Sequence, residues 1–374
     1  MGPLHGIRIV EIAGIGPTQF CGMLLADMGA QIIRLRRPAA ADPGVDVPDR
    51  FNLMNRGRPT LDVDLKSDAG RALVLRLCEQ ADALFEGFRP GVMERLGLGP
   101  GECMARNARL VYGRMTGWGQ DGPLAQRAGH DTNYIALAGA LHGIGAADRP
   151  PPLPLNLIGD FGGGAMYLAM GLLAALLEAG RSGKGQVVDA AMVDGTASLL
   201  TMFYGLTAGG LWNECRESNW LDGGAPFARC YETRDGRYVA VCALETAFFA
   251  ALLDALSIED IDPADQYDPQ QWPAHHERLA RAFRGRTRDE WGALLRGVDA
   301  CAMPVLTLGE ATEDEHARAR GTYVEIDGIR QPGPAPRFSR TASEARSAPA
   351  DQRESALAAL RQWGFSEDEV RRML

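Results

Sequence analysis

A histidine and two aspartates stand within about one structural unit of each other in the middle of this chain. His130 and Asp131 lie in G-H-D-T-N-Y-I-A-L, and Asp160 lies in L-N-L-I-G-D-F-G-G-G-A-M-Y. An imidazole and a carboxylate are well suited to moving protons near neutral pH, because their surroundings can bring either into that range. Asp160 precedes Phe161, three glycines and an apolar run, and so reads as the N-cap of a helix. A carboxylate there meets the positive end of the helix dipole, and the N–H of Phe161 or Gly162 could receive a developing oxyanion. The set suggests proton transfer next to a carbonyl. Each residue also has a plain structural use, since Asp is a common cap and a lone His before a polar turn is often structural. The glycines tilt the balance. Each one inside a helix costs about 1 kcal/mol against Ala, which is easier to understand where something must approach the backbone.

The elements that would hold these groups are legible upstream. Residues 7–12, 31–35, 60–63, 83–86 and 110–115 read as strands; 19–28, 68–80 and a short stretch near 91–96 read as helices. This alternation predicts an α/β fold with a mainly parallel, helix-covered sheet. The first strand-to-helix turn, A-G-I-G-P-T-Q, is close to a dinucleotide-binding G-x-G-x-x-G, but Gln19 replaces the third glycine and Pro17 lacks an N–H. After the second strand, where a NAD enzyme carries an acidic residue, stand Arg34, Arg36 and Arg37. Guanidinium groups there suit NADP, the phosphorylated ribose of coenzyme A, or simply solvent. Two more loops, N-R-G-R and G-F-R-P-G, add Arg56, Arg58 and Arg89 and favour an anionic ligand. The loop R-M-T-G-W-G-Q-D-G-P could pack an acyl chain or serve as a tight turn.

Downstream, residues 189–212 read as one helix with an apolar face, and 230–243 as a β-hairpin around Asp235-Gly236, with Glu245 just beyond. Residues 258–273 read as a loop. His275, His276 and His316 fall in charged helical stretches, lack metal-ligand spacing and are expected at the surface. A net charge of −9 without a basic stripe argues against a nucleic-acid partner. Seven scattered cysteines argue for a reducing compartment and against structural zinc. With an N-terminus that runs directly into a strand, they point to a cytoplasmic protein. The most apolar segment, 161–177, is shorter than the ~20 residues of a spanning helix, so a buried core helix and no membrane are expected.

Read in order, V-E-I-A-G-I-G-P, I-I-R-L-R-R-P, N-R-G-R-P-T-L-D-V-D-L-K, G-F-R-P-G-V, R-M-T-G-W-G-Q-D-G-P and G-D-F-G-G-G resemble the family III CoA-transferase superfamily. The G-H-D-T-N-Y-I-A-L and L-N-L-I-G-D-F-G-G-G segments, V-V-D-A-A-M-V-D-G and L-D-G-G-A-P-F are similar to its 2-methylacyl-CoA racemase branch. The likeness spans roughly residues 1–340, and the tail 354–374 resembles the family's short helical end.

This resemblance implies a large Rossmann-like domain with a parallel sheet and a small α+β domain, in an intertwined homodimer. The implied layout is a CoA-binding domain at 1–187, linker helices at 188–224, the small domain at 225–328, and a return linker with C-terminal helix at 329–374. It implies His130 and Asp160 as the acid/base pair, Glu245 orienting His130 from the small domain of the other subunit, and Asn156 and Asp131 supporting them. Arg36, Arg56, Arg89, Gly14 and Ile15 match positions associated with CoA. No metal or redox cofactor is implied; coenzyme A enters as part of an acyl-CoA substrate. Members of the transferase branch use the aspartate as a nucleophile and generally lack the His of G-H-D. An enzyme that inverts a carbon needs a group on each face, and this chain carries both. Racemisation is therefore the leading reading, CoA transfer through Asp160 the alternative, and a dinucleotide oxidoreductase a distant third.

Overall fold

Short runs of Val, Ile, Leu and Phe with no polar face belong in a sheet covered on both sides, and the chain uses them that way. In the computed structural model, which describes residues 2–38, 47–349, 351–366 and 368–369, six strands form one parallel sheet. They are β1 (Arg8–Ile12), β2 (Gln31–Arg36), β3 (Thr60–Asp62), β4 (Ala83–Glu86), β5 (Val111–Thr116) and β6 (Val187–Ala191), in the order β3-β2-β1-β4-β5-β6. The order reverses between β1 and β4. At such a switch point neighbouring loops diverge and open a crevice beyond the carboxyl ends of the strands.

Helices cover both faces: α1 (Pro17–Asp27), α2 (Asp68–Cys78), α3 (Val92–Arg95), α4 (Pro100–Arg106), α5 (Asp131–Leu137), α6 (Met166–Ser182) and α7 (Met192–Leu199). A π-helix, Leu157–Ala165, runs directly into α6. Successive strand side chains point to opposite faces. Val10, Ile33, Leu84 and Tyr112 therefore meet α2 and the C-terminal helix Gln352–Gln362, whereas Ile9, Ile32, Phe85 and Val111 meet α1 and α6. The last residues of the expected helical tail, 370–374, lie outside the described residues, as do 39–46 after the second strand.

The chain divides into two units. The larger holds this sheet and comprises residues up to 138, 154–199 and 315 onward; the smaller comprises 139–153 and 200–314. The smaller unit is α+β. Its antiparallel sheet joins Ala228–Glu232, Tyr238–Cys242 and Ala302–Pro304, and Phe227, Val239, Phe249, Phe283 and Trp291 fill its core. Its hairpin turns at Gly236, whose φ of 72° needs a glycine.

Four expectations are corrected. Residues 189–212 are not one helix: V-V-D-A-A pairs in register with β5 as the edge strand β6, and α7 and Thr201–Ala208 follow as separate helices. The expected boundary at 187 thus cuts the sheet's last strand. The boundary at 328 falls in a two-residue turn, Asp327-Gly328, where both φ values are positive and the strands Tyr323–Ile326 and Ile329–Pro332 pair. Finally, His275 is buried rather than exposed, on the stripe Trp272, His275, Leu279 and Phe283 of helix Trp272–Phe283. His276 is half-buried against the Tyr231 ring at 5.5 Å.

Candidate active site

The crevice predicted by the strand order is present as a cleft of about 340 Å³. Its walls are the turn after β1, the loop after β4, the loop after β5, and the starts of α5 and the π-helix. His130 and Asp160 both line it. His130 is the N-cap residue of α5, in extended backbone, and its N–H donates to Asn133 Oδ1 at 3.0 Å.

Asp160 is held differently from the expected N-cap. Asn156 occupies that position, and Asp160 sits one turn inside the π-helix. A π-helix pairs each N–H with the carbonyl five residues back. Counting from Asn156, the ladder takes up the N–H of Phe161 and Gly162, so neither is a free oxyanion donor. The N–H of Asp160 itself donates to Asp131 Oδ1 at 2.7 Å, and Asn156 Nδ2 donates to Asp160 Oδ2 at 3.0 Å. Asp131, Asn156 and Asp160 thus form one polar cluster that ties α5 to the π-helix.

The glycine run has a cause that the sequence hid. A side chain at Gly195 of α7 would run into the carbonyl of Gly163. A Cβ at Gly163 would lie 2.7 Å from the Thr196 nitrogen, and one at Gly164 would lie 2.8 Å from Met192 Cγ. The close approach is that of another helix, not of a ligand. On the opposite side α1 presses in: the rings of Phe20 and Phe161 are 4.6 Å apart, and a Cβ at Gly16 would lie 2.9 Å from Asp160 Oδ2.

Burial raises the pKa of Asp160. Its hydrogen bond from Asn156 pulls the other way, the charge of Asp131 raises it further, and the nearby His130 lowers it. Tyr134 in the same cleft is pushed up to about 12, chiefly by burial and then by Asp160. Its hydroxyl donates to the carbonyl of Gly129, and its ring meets Trp118 edge-on at 4.7 Å. The peptide that carries His130 is therefore clamped from within α5.

Among the arginines, Arg89 lines the cleft, together with Arg127, which the sequence reading missed. The only signal for Arg127 was its place three residues before His130. Arg56 has another task. Its guanidinium is buried, donates to Asp27 and Gln331, and reaches the Pro332 carbonyl, so it is not free for a phosphate. Arg58 is spent likewise on Glu11, which also pairs with Arg34 at 3.3 Å. Arg36 holds Asp62 at 2.7 Å and Asp49 at 3.5 Å, with its side chain partly exposed. Ile15 stands at the cleft, largely exposed, whereas Gly14 is not among its lining residues and lies against Thr18.

Beneath the Arg89 loop, Glu86 accepts the Phe88 N–H at 2.6 Å and pairs with Arg114 at 3.3 Å. Burial pushes this carboxyl up to about 7 against both contacts. Glu245 lies in the smaller unit, exposed at the N-cap of Thr246–Ala255, and its side chain makes no capping bond there. Among the described residues, no three His, Cys, Asp or Glu side chains are grouped to hold a metal ion.

A large doubly wound unit with a carboxylate at its switch-point cleft fits one further observation: residues 4–353 match the model of CoA-transferase family III. The chain belongs to that family. It is 42% identical to the mouse protein named alpha-methylacyl-CoA racemase, over 98% of this chain and 95% of that one. The human protein of the same name is 39% identical, with the same coverage. Among solved structures, a CAIB/BAIF family protein from Brucella suis aligns with a TM-score of 0.79 at 26% identity, covering 97% of this chain and 99% of that one. Within this family III chain the parallel sheet and the smaller α+β unit have the expected fold class.

Proposed function

We propose that this protein is an acyl-CoA racemase that inverts the α-carbon of 2-methylacyl-CoA thioesters. One observation carries the reading: His130 and Asp160, on two different elements, face a single cleft. Inversion by proton transfer needs an acid/base on each side of the carbon. One group takes the α-proton, the C–H electron pair passes into the thioester as an enolate, and the other group returns a proton to the opposite face. The raised pKa of Asp160 suits it to hold the proton that it returns.

The enolate oxygen needs donors, each worth about 3 kcal/mol. With Phe161 and Gly162 engaged, we assign this task to the start of α5. There the first ladder bonds run from Asn133 and Tyr134 to the His130 carbonyl, leaving the N–H groups of Asp131 and Thr132 outside the ladder. Arg89 and Arg127 supply the positive charge for the CoA phosphates. Glu245 orients His130 from a second copy of the chain in a homodimer, and the reaction uses no metal or redox cofactor. We place the enzyme in the cytoplasm, in keeping with its seven free cysteines, and outside the membrane, although the π-helix and α6 together form a 26-residue apolar helix, Leu157–Ser182, longer than the expected core segment and long enough to cross one.

The two racemase-named relatives support this reading over the alternative, a CoA-transferase with Asp160 as nucleophile. That chemistry needs a single carboxylate and leaves His130 without a task. The test follows one enantiomer of a 2-methylacyl-CoA in D2O, by NMR of the α-proton and chiral analysis of the product. Loss of the α-proton with appearance of the other enantiomer is expected, and the inversion is abolished by His130→Ala or Asp160→Ala. Absence of exchange, with CoA passing to an added carboxylic acid, would instead make Asp160 a nucleophile.

A further inference from the structure

The turn after β1 leads into the cleft, yet the proposed reaction leaves its odd residue, Gln19, without a role. Gln19 is buried, and both ends of its amide are engaged. Oε1 accepts the N–H of Gly16 at 3.2 Å, and Nε2 donates to Oδ1 of the buried Asn55 at 3.2 Å. Gly16 is the N-cap of α1, and the start of a helix has N–H groups with no intrahelical partner. Gln19 satisfies one of them from within the first turn.

The turn that this latch holds is the wall behind Asp160. Gly16 adopts a φ of 61°, in the left-handed region. The carboxylate occupies the space where a side chain would stand, with Oδ2 2.9 Å from that absent Cβ and 3.0 Å from Asn156 Nδ2. Asp160 is thus seated between an amide on its own helix and a bare backbone on α1. Phe20 against Phe161 fixes the two elements one turn further along.

We propose that Gln19 is a positioning residue for Asp160: by joining the Gly16 N–H to Asn55, it fixes the turn against which the Asp160 carboxylate is set. The turn that looks like an imperfect phosphate cradle is the seat of an acid/base. The inference rests on the two-base reading above. A misplacement of about 1 Å can cost a reaction about a hundredfold, so the latch should be visible in the rate.

The experiment uses the full-length enzyme and measures α-proton exchange in D2O for each enantiomer of a 2-methylacyl-CoA separately. The reference variants are Asp160→Asn and His130→Ala. In each, the enantiomer served by the remaining base still exchanges, with retention, and the other falls silent. Gln19→Met keeps the length of the side chain and removes both hydrogen bonds. It is expected to slow the Asp160-dependent exchange about ten- to a hundredfold while KM and the His130-dependent exchange stay within about twofold of wild type. Asn55→Ala, which removes only the far partner, should give the same pattern more weakly, and it serves as the probe if Gln19→Met fails to fold. Equal slowing of both exchanges, or no slowing of either, overturns the role of Gln19. If Asp160→Asn does not separate the two enantiomers, the two-base reading fails first and this inference falls with it.

Discussion

At Glu86 a single carboxyl shows how position outweighs residue type. It lies buried under the Arg89 loop, facing Arg114 from β5, with Glu94 of α3 and Tyr112 close by, and its pKa is raised from 4.5 to about 7. A carboxyl that holds its proton more tightly in the folded state contributes stability that is fully present below pH 4.5 and is lost as pH rises through about 7. The span is worth about 3 kcal/mol at most. Urea midpoints at about pH 5 and about pH 8 should therefore fall more for wild type than for Glu86→Gln, which cannot titrate. Equal falls in the two proteins would mean that Glu86 ionises normally. The arginines teach the same lesson from the other side. Arg56 and Arg58 read as anion contacts in N-R-G-R, yet Asp27 and Glu11 claim them. A long guanidinium pairs with whichever carboxylate the fold brings into reach, and that partner can be dozens of residues away.

At the scale of elements, the π-helix decides the geometry of the site. Read locally, D-F-G-G-G is a capped helix start, and the sequence holds no sign that the helical turns begin before Asp160. The extra turn follows from packing: Asp131 takes the Asp160 N–H, and α7 lies so close that only glycines fit at 163, 164 and 195. Gly195→Ala should separate the two helices and destabilise the protein by about 1–3 kcal/mol, seen as a lower thermal midpoint. Racemase activity should fall with it, because the π-helix carries Asp160. A variant as stable and active as wild type would show that the helices can part without disturbing the site. By contrast Gly180, on the far end of α6, has open space where a side chain would stand, and Gly180→Ala is the control.

For the whole molecule, the proposal that Glu245 orients His130 needs a way to bring the two residues together. The proposed answer is a second copy of the chain, and α6 keeps an apolar face, Met166, Met170 and Leu177, at least half exposed. Faces of that kind commonly mark association. Mixed subunits give a direct test. His130→Ala and Glu245→Gln chains, each impaired alone, are refolded or co-expressed together. If the site is completed between subunits, a mixed dimer regains one intact site with His130 from one chain and Glu245 from the other, and activity returns. If each chain completes its own site, every site keeps one lesion and nothing returns.

What the sequence determined by itself was the alternation of strands and helices, the hairpin at Asp235-Gly236, and the presence of a His and an Asp fit for proton transfer. Those are written in hydrophobic period, turn residues and side-chain chemistry, which act within a single element or turn. The tertiary structure decided which arginines stay free in the cleft, what the glycines face, and that Asp160 lies inside a helix rather than at its cap. It also showed that V-V-D-A-A is a strand and that His275 is core. These outcomes depend on neighbours brought together from distant parts of the chain. A buried polar group that finds no partner costs about 1–3 kcal/mol, and only the folded chain determines which partner is in reach.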